Sequence, residues 1–285
     1  MIPFSCADYT FPLLTRPKRF ALLQLLGFNY VDIGFFERSS DLKPSELVAD
    51  PKGFIKHLKH DLKCSGLQVS DCFLQIGLEP SISAANEPDS EVRSRDRKTF
   101  MLALDLCAEV GCSHLTGLPG VWHDGIAKAD DFALAIEETG WRRHAAFSAG
   151  ITYAIEAHLG SLCSDIASTR SFVEAVPGLT LTLDYGHFVT ANVPSREIHA
   201  LLPLASHIHA RGGAAGRLQT PVSENAIDFS GMMRGLQKQN YKGFLALEYV
   251  WIDWMQCNRA DNVSETLLLR SLLENIQNAS GNDPE

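Results

Sequence analysis

Short apolar segments alternate along the chain with longer segments in which apolar residues recur about every three or four positions. The first pattern predicts buried β-strands and the second predicts amphipathic α-helices. Strands are predicted at residues 2–6, 30–34, 67–74, 113–117, 151–155, 179–184, 206–209 and 244–247. Helices are predicted at residues 17–26, 51–64, 86–110, 128–149, 165–176, 195–202, 228–239 and 262–278. A regular alternation of this kind is typical of an α/β fold with parallel strands.

Four of the predicted strands lead into a side chain that can bind a metal. In chain order these residues are Glu156, Asp184, His209 and Glu248. Neighbouring members are separated by about one strand and one helix. In a closed parallel barrel all strands end at one mouth, whereas an open doubly wound sheet would not gather four successive strand ends. The sequence therefore predicts a single (β/α)8 TIM barrel over residues 1–279, followed by a polar tail at 280–285.

Composition narrows the classes of function. Of the 285 residues, 45% are hydrophobic and 21% are charged, which is enough apolar material for one large core. The net charge of −9 disfavours a nucleic acid as partner. Because the chain lacks a membrane-spanning apolar run and an N-terminal signal pattern, we expect no membrane association and a cytoplasmic location. Seven cysteines without a CxxC pair indicate reduced thiols in such a compartment.

The four strand-end residues make an oxygen-rich ligand set with one imidazole. Such a set suits Mn²⁺ or Mg²⁺ and can also hold Co²⁺, Fe²⁺ or Zn²⁺. A single acidic residue at a strand end is usually a turn or capping residue. Four metal-competent residues at the same end of successive strands are hard to obtain by chance, so we expect one divalent metal ion per chain.

The residues around these four positions resemble a known family. The motifs are Ile-Glu-Ala-His at 155–158, Leu-Asp-Tyr-Gly-His at 183–187, His-Ile-His-Ala-Arg at 207–211 and Leu-Glu-Tyr at 247–249. They are similar to those of the xylose isomerase-like TIM barrel superfamily, in particular its sugar and sugar-phosphate isomerases and epimerases, including ketose 3-epimerases. The resemblance implies one metal ion bound by Glu156, Asp184, His209 and Glu248. It also implies that His187 donates a hydrogen bond to the substrate.

The same resemblance implies an arginine in contact with the sugar, in the loop after the seventh strand. Arg217 fits that place, and Arg211 is the nearer alternative. His158 follows Glu156 by two positions and therefore points to the same side of an extended chain, where it is a candidate substrate-binding or supporting residue. Trp122, Trp251 and Trp254 follow predicted strands and are candidates to roof the pocket and stack on a sugar. Packing without contact to a ligand is the alternative for each of them.

Family resemblance and chemistry agree on a reaction. Epimerising or isomerising a ketose requires a proton to leave a carbon next to a carbonyl and to return on another face or atom. Two carboxylates on opposite sides of the resulting enediolate can serve as base and acid, while a metal stabilises its negative charge. Glu156 and Glu248, which come from non-adjacent strands, are the candidates for this catalytic pair.

Other functions share parts of this pattern. A metal-dependent dehydratase or lyase acting on a keto-sugar or keto-acid would begin with the same proton abstraction and then expel a leaving group. An apurinic endonuclease-like hydrolase would need further histidines and would suit a basic surface better than an acidic one. A non-catalytic sugar-binding protein is a third alternative. For an isomerase, epimerase or lyase the partner is a small sugar or keto-acid, and the chain could also form a homo-oligomer.

Overall fold

Eight parallel strands close into a barrel in the order of the sequence in the computed structural model, which describes residues 1–280. The first strand pairs with the second and with the eighth, which closes the cylinder. The strands are β1 (Phe4–Ala7), β2 (Tyr30–Phe36), β3 (Gln68–Gln75), β4 (His114–Gly117), β5 (Thr152–Glu156), β6 (Thr180–Asp184), β7 (Ala205–Ala210) and β8 (Leu245–Leu247). The predicted TIM barrel and its eight strands are confirmed.

Helices surround the barrel and make it a (β/α)8 fold. Within residues 1–280 there are ten α-helices instead of the eight predicted. They are α1 (Arg16–Leu25), α2 (Pro44–Ala49), α3 (Pro51–Ser65), α4 (Ser90–Val110), α5 (Lys128–Ser148), α6 (Ile166–Ala175), α7 (Tyr185–Thr190), α8 (Ser195–Ile198), α9 (Phe229–Lys238) and α10 (Asn262–Ser280). The short helices α2 and α7 were not predicted. No helix in this part of the chain is long and apolar enough to cross a membrane.

Several predicted segments differ in their bounds, and the helix expected at 86–110 begins only at Ser90. The helix expected at 195–202 ends as α-helix at Ile198 and continues as a 3₁₀ segment, His199–Leu204. Pro203 lies inside that segment, and its missing N–H prevents a regular α-helix there. Of the polar tail predicted at 280–285, Ser280 is the last residue of α10. Residues 281–285 lie outside the described part of the chain.

Local sequence signals explain where the longer helices begin and end. Pro51 occupies the first turn of α3, and the Asp50 side chain accepts a hydrogen bond from the Gly53 N–H. Gly66 ends the same helix with φ of 70°, a left-handed conformation that glycine adopts without steric cost. These signals could be recognised in the sequence, and the observed bounds of α3 agree with the predicted ones to within one residue.

The inside of the barrel is unusually polar. Apolar side chains of β2, such as Val31 and Ile33, pack outward in the main hydrophobic core. Asp32, between them, is fully buried. It accepts hydrogen bonds from Ser5 and Ser70 and contacts His207 Nε2 at 2.6 Å. Buried polar groups that are hydrogen-bonded in this way carry little of the penalty of an unpaired group.

Candidate active site

The C-terminal strand ends bring the four predicted metal ligands to one mouth. Glu156 and Asp184 are the last residues of β5 and β6, His209 lies next to the end of β7, and Glu248 directly follows β8. All four side chains are buried. Because Asp184 and His209 are paired in the β6–β7 register, their positions are fixed by the sheet.

The ligand atoms form two overlapping groups of three. Potential ligand atoms of Glu156, His209 and Glu248 lie within 4.8 Å of one another, as do those of Glu156, Asp184 and His187. His209 Nδ1 is 2.7 Å from Glu156 Oε1 and 3.5 Å from Glu248 Oε1. The buried Glu248 Oε2 has no hydrogen-bond partner. Two carboxylates, one of them with this unpartnered oxygen, and an imidazole are suitable ligands for a divalent cation.

A third group of candidate metal ligands lies deeper in the barrel. Atoms of Asp32, Asp71, His207 and His209 are also within 4.8 Å of one another. Asp32, however, already accepts from two serines and contacts His207, as described above. The group of Glu156, His209 and Glu248 differs because two of its members, Glu156 and Glu248, line a large cavity. An ion there would keep open positions for a substrate, so the mouth is the better candidate for a catalytic metal centre.

Arg211 lies among the carboxylates. Its side chain is 4% exposed, forms an ion pair with Asp184 Oδ2 and lies 3.5 Å from Glu248 Oε2. The other oxygen of Asp184 accepts a hydrogen bond of 2.7 Å from the Gly186 N–H. With Glu248 ionised and His209 neutral, as metal ligands must be, three carboxylates beside one guanidinium leave two negative charges, which a divalent cation would neutralise.

Their surroundings shift the pKa values of the two glutamates in opposite directions. Burial raises the pKa of Glu248 to about 7, against the opposing charges of His209 and Arg211. Burial also acts on Glu156, but the hydrogen bond and charge of His209 prevail and lower the pKa of Glu156 to about 2. Although burial lowers it, neighbouring Glu248, Asp32 and Glu156 raise the pKa of His209 well above its usual value. The metal-free site thus places an ionised carboxylate next to one that holds a proton near neutrality.

A cavity of about 940 Å³ opens over these residues. Glu156, His158, His187, Arg211 and Glu248 line its polar part. Burial lowers the pKa of His187 to about 4, so this imidazole is neutral at pH 7 and can donate one hydrogen bond. The structure therefore brings together, around one cavity, the two predicted catalytic glutamates and the predicted substrate-binding residues His158, His187 and Arg211.

Arg217 and Trp122 do not line this cavity. The Arg217 side chain is 52% exposed and pairs with Glu224 on the surface. Trp122 is 41% exposed and lies beneath the ammonium group of Lys128. Trp251 and Trp254, which follow β8, do line the cavity. The geometry favours Arg211 over Arg217 as the arginine that faces a substrate.

His187 lies in α7, one of the two short helices that were not predicted. Asp184 ends β6 and caps α7 through its bond to the Gly186 N–H, so the chain passes directly from strand to helix. His187 is consequently held in the first turn, with Nε2 at 3.6 Å from Asp184 Oδ2.

Tyr9 has a role that sequence reasoning missed. It follows β1 at the same end of the barrel, in a 3₁₀ turn, and its hydroxyl donates a hydrogen bond of 3.0 Å to Glu248 Oε1. In the sequence it is one more aromatic residue beyond a strand. Its position just past a predicted strand end was the available signal, but its partner lies at the other end of the chain.

Comparisons with known proteins agree with this architecture. The D-allulose 3-epimerase from Methylomonas sp. superposes with a TM-score of 0.76 at 15% identity, covering 96% of this chain and 98% of that chain. The 3-keto-D-glucoside 4-epimerase from E. coli gives a TM-score of 0.72 at 17% identity, with 96% and 100% covered. A probable 3-DHS dehydratase from Bacillus anthracis gives 0.70 at 13% identity, with 94% and 99% covered. At these identities the likeness concerns the fold.

A search of curated proteins gives no match. Residues 20–272 match the xylose isomerase-like TIM barrel family, which covers most of the chain and all four strand-end residues. The chain therefore belongs to the xylose isomerase-like TIM barrel family.

Proposed function

We propose that this protein is a divalent-metal-dependent sugar isomerase or epimerase that moves a proton at a carbon next to a carbonyl. The observation that carries the proposal is the pair Glu156 and Glu248. They come from different strands, line the same cavity, and have pKa values shifted in opposite directions. Two titratable groups whose pKa values are pushed apart in one site are the usual arrangement for a base and an acid. The fold-level likeness to two sugar epimerases is consistent with this reaction.

Glu156, His209 and Glu248 would hold the metal, and Asp184 would lie next to these three residues. Their oxygen-rich character favours Mn²⁺ or Mg²⁺. A bound divalent cation supplies Lewis-acid stabilisation of negative charge on the substrate oxygens.

The protein residues divide the proton transfer between them. Glu156, ionised, accepts the proton from the carbon. Glu248, which metal binding leaves ionised, first gains a proton from the substrate or from water and then returns it to the opposite face or to the neighbouring atom. Tyr9 holds Glu248 in place through its 3.0 Å hydrogen bond. His187, neutral, donates a hydrogen bond to a substrate hydroxyl, and Arg211 limits the negative charge around Asp184 and Glu248.

A dehydratase or lyase is the second candidate. It would use the same proton abstraction at Glu156, after which the substrate would lose a group from the adjacent carbon. The likeness in fold to a probable 3-DHS dehydratase is the observation in its favour. The two classes differ in their products: an epimer or isomer keeps the composition of the substrate, whereas a lyase product has lost water or another group.

Reaction in D₂O tests the proposal. Ketoses and keto-acids are incubated with the protein and Mn²⁺ or Mg²⁺, and products are examined by mass spectrometry and NMR. We expect one solvent deuterium at the epimerised or isomerised carbon, and loss of labelling by a factor of at least about a hundred in Glu248→Gln. Glu224→Gln, which alters an exposed glutamate outside the cavity, serves as the matched control and keeps the activity.

Two results would contradict the proposal. Turnover without solvent deuterium would indicate a direct hydride shift. Unchanged labelling by Glu248→Gln would remove Glu248 from the catalytic pair. Loss of water or of another group from the substrate would instead assign the protein to the lyases.

A further inference from the structure

The cavity is larger than a single sugar requires. Pockets of about 300–1,000 Å³ are typical for ligands of drug size, and the volume of about 940 Å³ lies near the upper end of that range. A hexose is considerably smaller than such ligands. A substrate that fills the cavity must therefore carry a second group beyond the sugar ring.

Large apolar side chains line the entrance of the cavity, beside the exposed ion pair of Arg38 and Glu79. The charged residues and histidines described above gather at the strand ends, around the proposed metal ligands. The rim contains Trp251, Ile252 and Trp254 from the segment after β8, together with Leu78 and Leu159 from other loops. Trp251 is 41% exposed and Trp254 is 49% exposed, so large aromatic surfaces meet solvent at the entrance. Exposed apolar surface grouped at a pocket is a common mark of a ligand contact.

The rim is joined to the polar base by direct contact. The Trp254 ring centroid lies 6.3 Å from that of His187, with 37° between the ring planes. A ligand whose polar part reaches His187 must therefore pass beside the Trp254 ring. An aromatic group attached to such a ligand would lie at the right depth to contact Trp251 and Trp254, since aromatic side chains favour stacked or edge-on contacts with other rings.

The arginines of the cavity are already paired. Among the described residues that line it, the arginines are Arg38 and Arg211. Arg38 pairs with Glu79, another lining residue, and Arg211 pairs with Asp184. A phosphate group is usually bound by an arginine free to make two parallel hydrogen bonds. A phosphorylated sugar would have to compete with these carboxylates.

We propose that the cavity binds an uncharged glycoside whose sugar carries a carbonyl, with this sugar against the carboxylate base and an aromatic or similarly apolar aglycone against Trp251 and Trp254. The orientation of the sugar rests on the proposed function. The class of ligand rests on the size of the cavity, the aromatic rim and the paired arginines. A sugar phosphate is the alternative that this assignment rejects.

Binding measurements test the assignment without any turnover. Isothermal titration of the full chain, with Mn²⁺ present, uses phenyl β-D-glucoside, methyl β-D-glucoside and D-glucose 6-phosphate as probes. We expect the phenyl glucoside to bind at least about tenfold more tightly than the methyl glucoside, because the phenyl ring buries apolar surface. D-glucose 6-phosphate is expected to bind more weakly than the phenyl glucoside.

Substitutions of the tryptophans show which residues cause the preference for the phenyl glucoside. Trp254→Ala should remove most of the preference for the phenyl glucoside, and Trp251→Ala is a second rim variant should the first fail to fold. Trp122→Ala is the matched control, because Trp122 is as exposed to solvent as Trp251 but lies outside the cavity. It should leave the preference unchanged.

The assignment would be overturned if the two glucosides bound equally, if the phosphate bound most tightly, or if no probe bound. It would also be overturned if Trp122→Ala lost as much of the preference for the phenyl glucoside as the rim variants. Failure of the D₂O experiment with a keto-sugar glycoside as substrate, together with normal phenyl glucoside binding, would instead count against the proposed reaction alone.

Discussion

Arg211 and Arg217 follow the same strand, yet the structure gives them opposite surroundings. Arg211 lies two positions after His209, and alternate side chains of an extended segment point to the same side. Its guanidinium therefore enters the mouth and meets Asp184 and Glu248. Arg217 belongs to a surface turn after Gly216, which has a φ of 71°, and pairs there with Glu224. At the scale of single residues, burial decides which of the two positive charges affects the site.

Replacing Arg211 should destabilise the metal-free protein. Arg211→Gln leaves Asp184 and Glu248 buried without their cation, a change that costs about 3–5 kcal/mol when a buried pair is broken. Arg217→Gln removes an exposed pair, for which the expected change is below about 1 kcal/mol. Urea unfolding in the presence of EDTA measures both. Similar stabilities of the two variants would show that Arg211 does not neutralise the carboxylates.

The grouping of these residues at one mouth could be predicted because strand ends can be recognised in sequence. Glu156, Asp184 and Glu248 each come after a short apolar run, and the barrel geometry brings such positions together. The ion pair of Arg211 could not be predicted, since it depends on how side chains from three strands share one small space. Nor could the hydrogen bond from Tyr9 to Glu248, whose partners are separated by almost the whole chain.

Short elements explain the remaining differences between sequence and structure. The helix α7 contains Gly186 and β-branched Val189 and Thr190, which have low helix propensity. It forms because Asp184 caps it and because Phe188 and Val189 are buried against the core. Tertiary contacts of this kind are absent from local sequence patterns. Long helices such as α4 and α5 carry enough periodic positions to be predicted.

Gly186 is where α7 touches the loop after β7. A Cβ atom at this position would lie 3.0 Å from Asp184 Oδ1, 3.0 Å from the Leu218 carbonyl oxygen and 3.4 Å from Arg211 Nε. Gly186→Ala should therefore displace α7 or the loop, with a loss of about 1–3 kcal/mol in unfolding free energy. It should also weaken Mn²⁺ binding, because Asp184 and Arg211 shift.

Gly140→Ala is the matched control for this prediction. Gly140 lies in α5, and a Cβ there would have no atom within 4 Å. The change should raise the unfolding free energy by about 0.4–1 kcal/mol, through the lower conformational entropy of the unfolded chain. Urea unfolding measures the change in stability of both variants, and Mn²⁺ titration measures their change in metal affinity. An equally stabilised Gly186→Ala would mean that the contact at the start of α7 relaxes without consequence.

At the scale of the whole molecule, the barrel encloses connected polar groups from its interior to its mouth. His209 lies between them: Nε2 is 3.6 Å from Asp32 Oδ2, and Nδ1 faces Glu156 and Glu248. Hydrophobic patterning gives no sign of this arrangement, because Asp32 occurs within an otherwise apolar strand. The apolar side chains between the barrel and the helices nevertheless surround this polar arrangement. Protons and a metal ion are therefore alternative ways to balance the charge of one buried group of residues.

Metal binding should consequently depend strongly on pH. In the metal-free protein the pKa of Glu248 is raised to about 7 and that of His209 lies well above its usual value, so both hold protons at pH 6. Metal ligands must be deprotonated, so binding releases these protons and the affinity rises with pH. Loss of each proton lowers the Kd for Mn²⁺ about tenfold per pH unit below its pKa, so loss of both should lower the Kd about a hundredfold per pH unit between about pH 5 and 7. Titration calorimetry in two buffers of different ionisation enthalpy counts the protons.

The stability of the metal-free protein should follow the opposite trend. Glu248 binds its proton more tightly in the folded chain than in the unfolded chain, where its pKa is about 4.5. Its contribution to folding is therefore fully present below pH 4.5 and is lost as the pH rises towards 7 and beyond. Glu248→Gln, which cannot ionise, should remove this loss and also reduce the number of protons released by Mn²⁺. Comparing urea unfolding with EDTA and with Mn²⁺ across this pH range separates the two effects. A Kd for Mn²⁺ that does not change with pH would mean that the metal binds elsewhere, because no ion can occupy the mouth without displacing its protons.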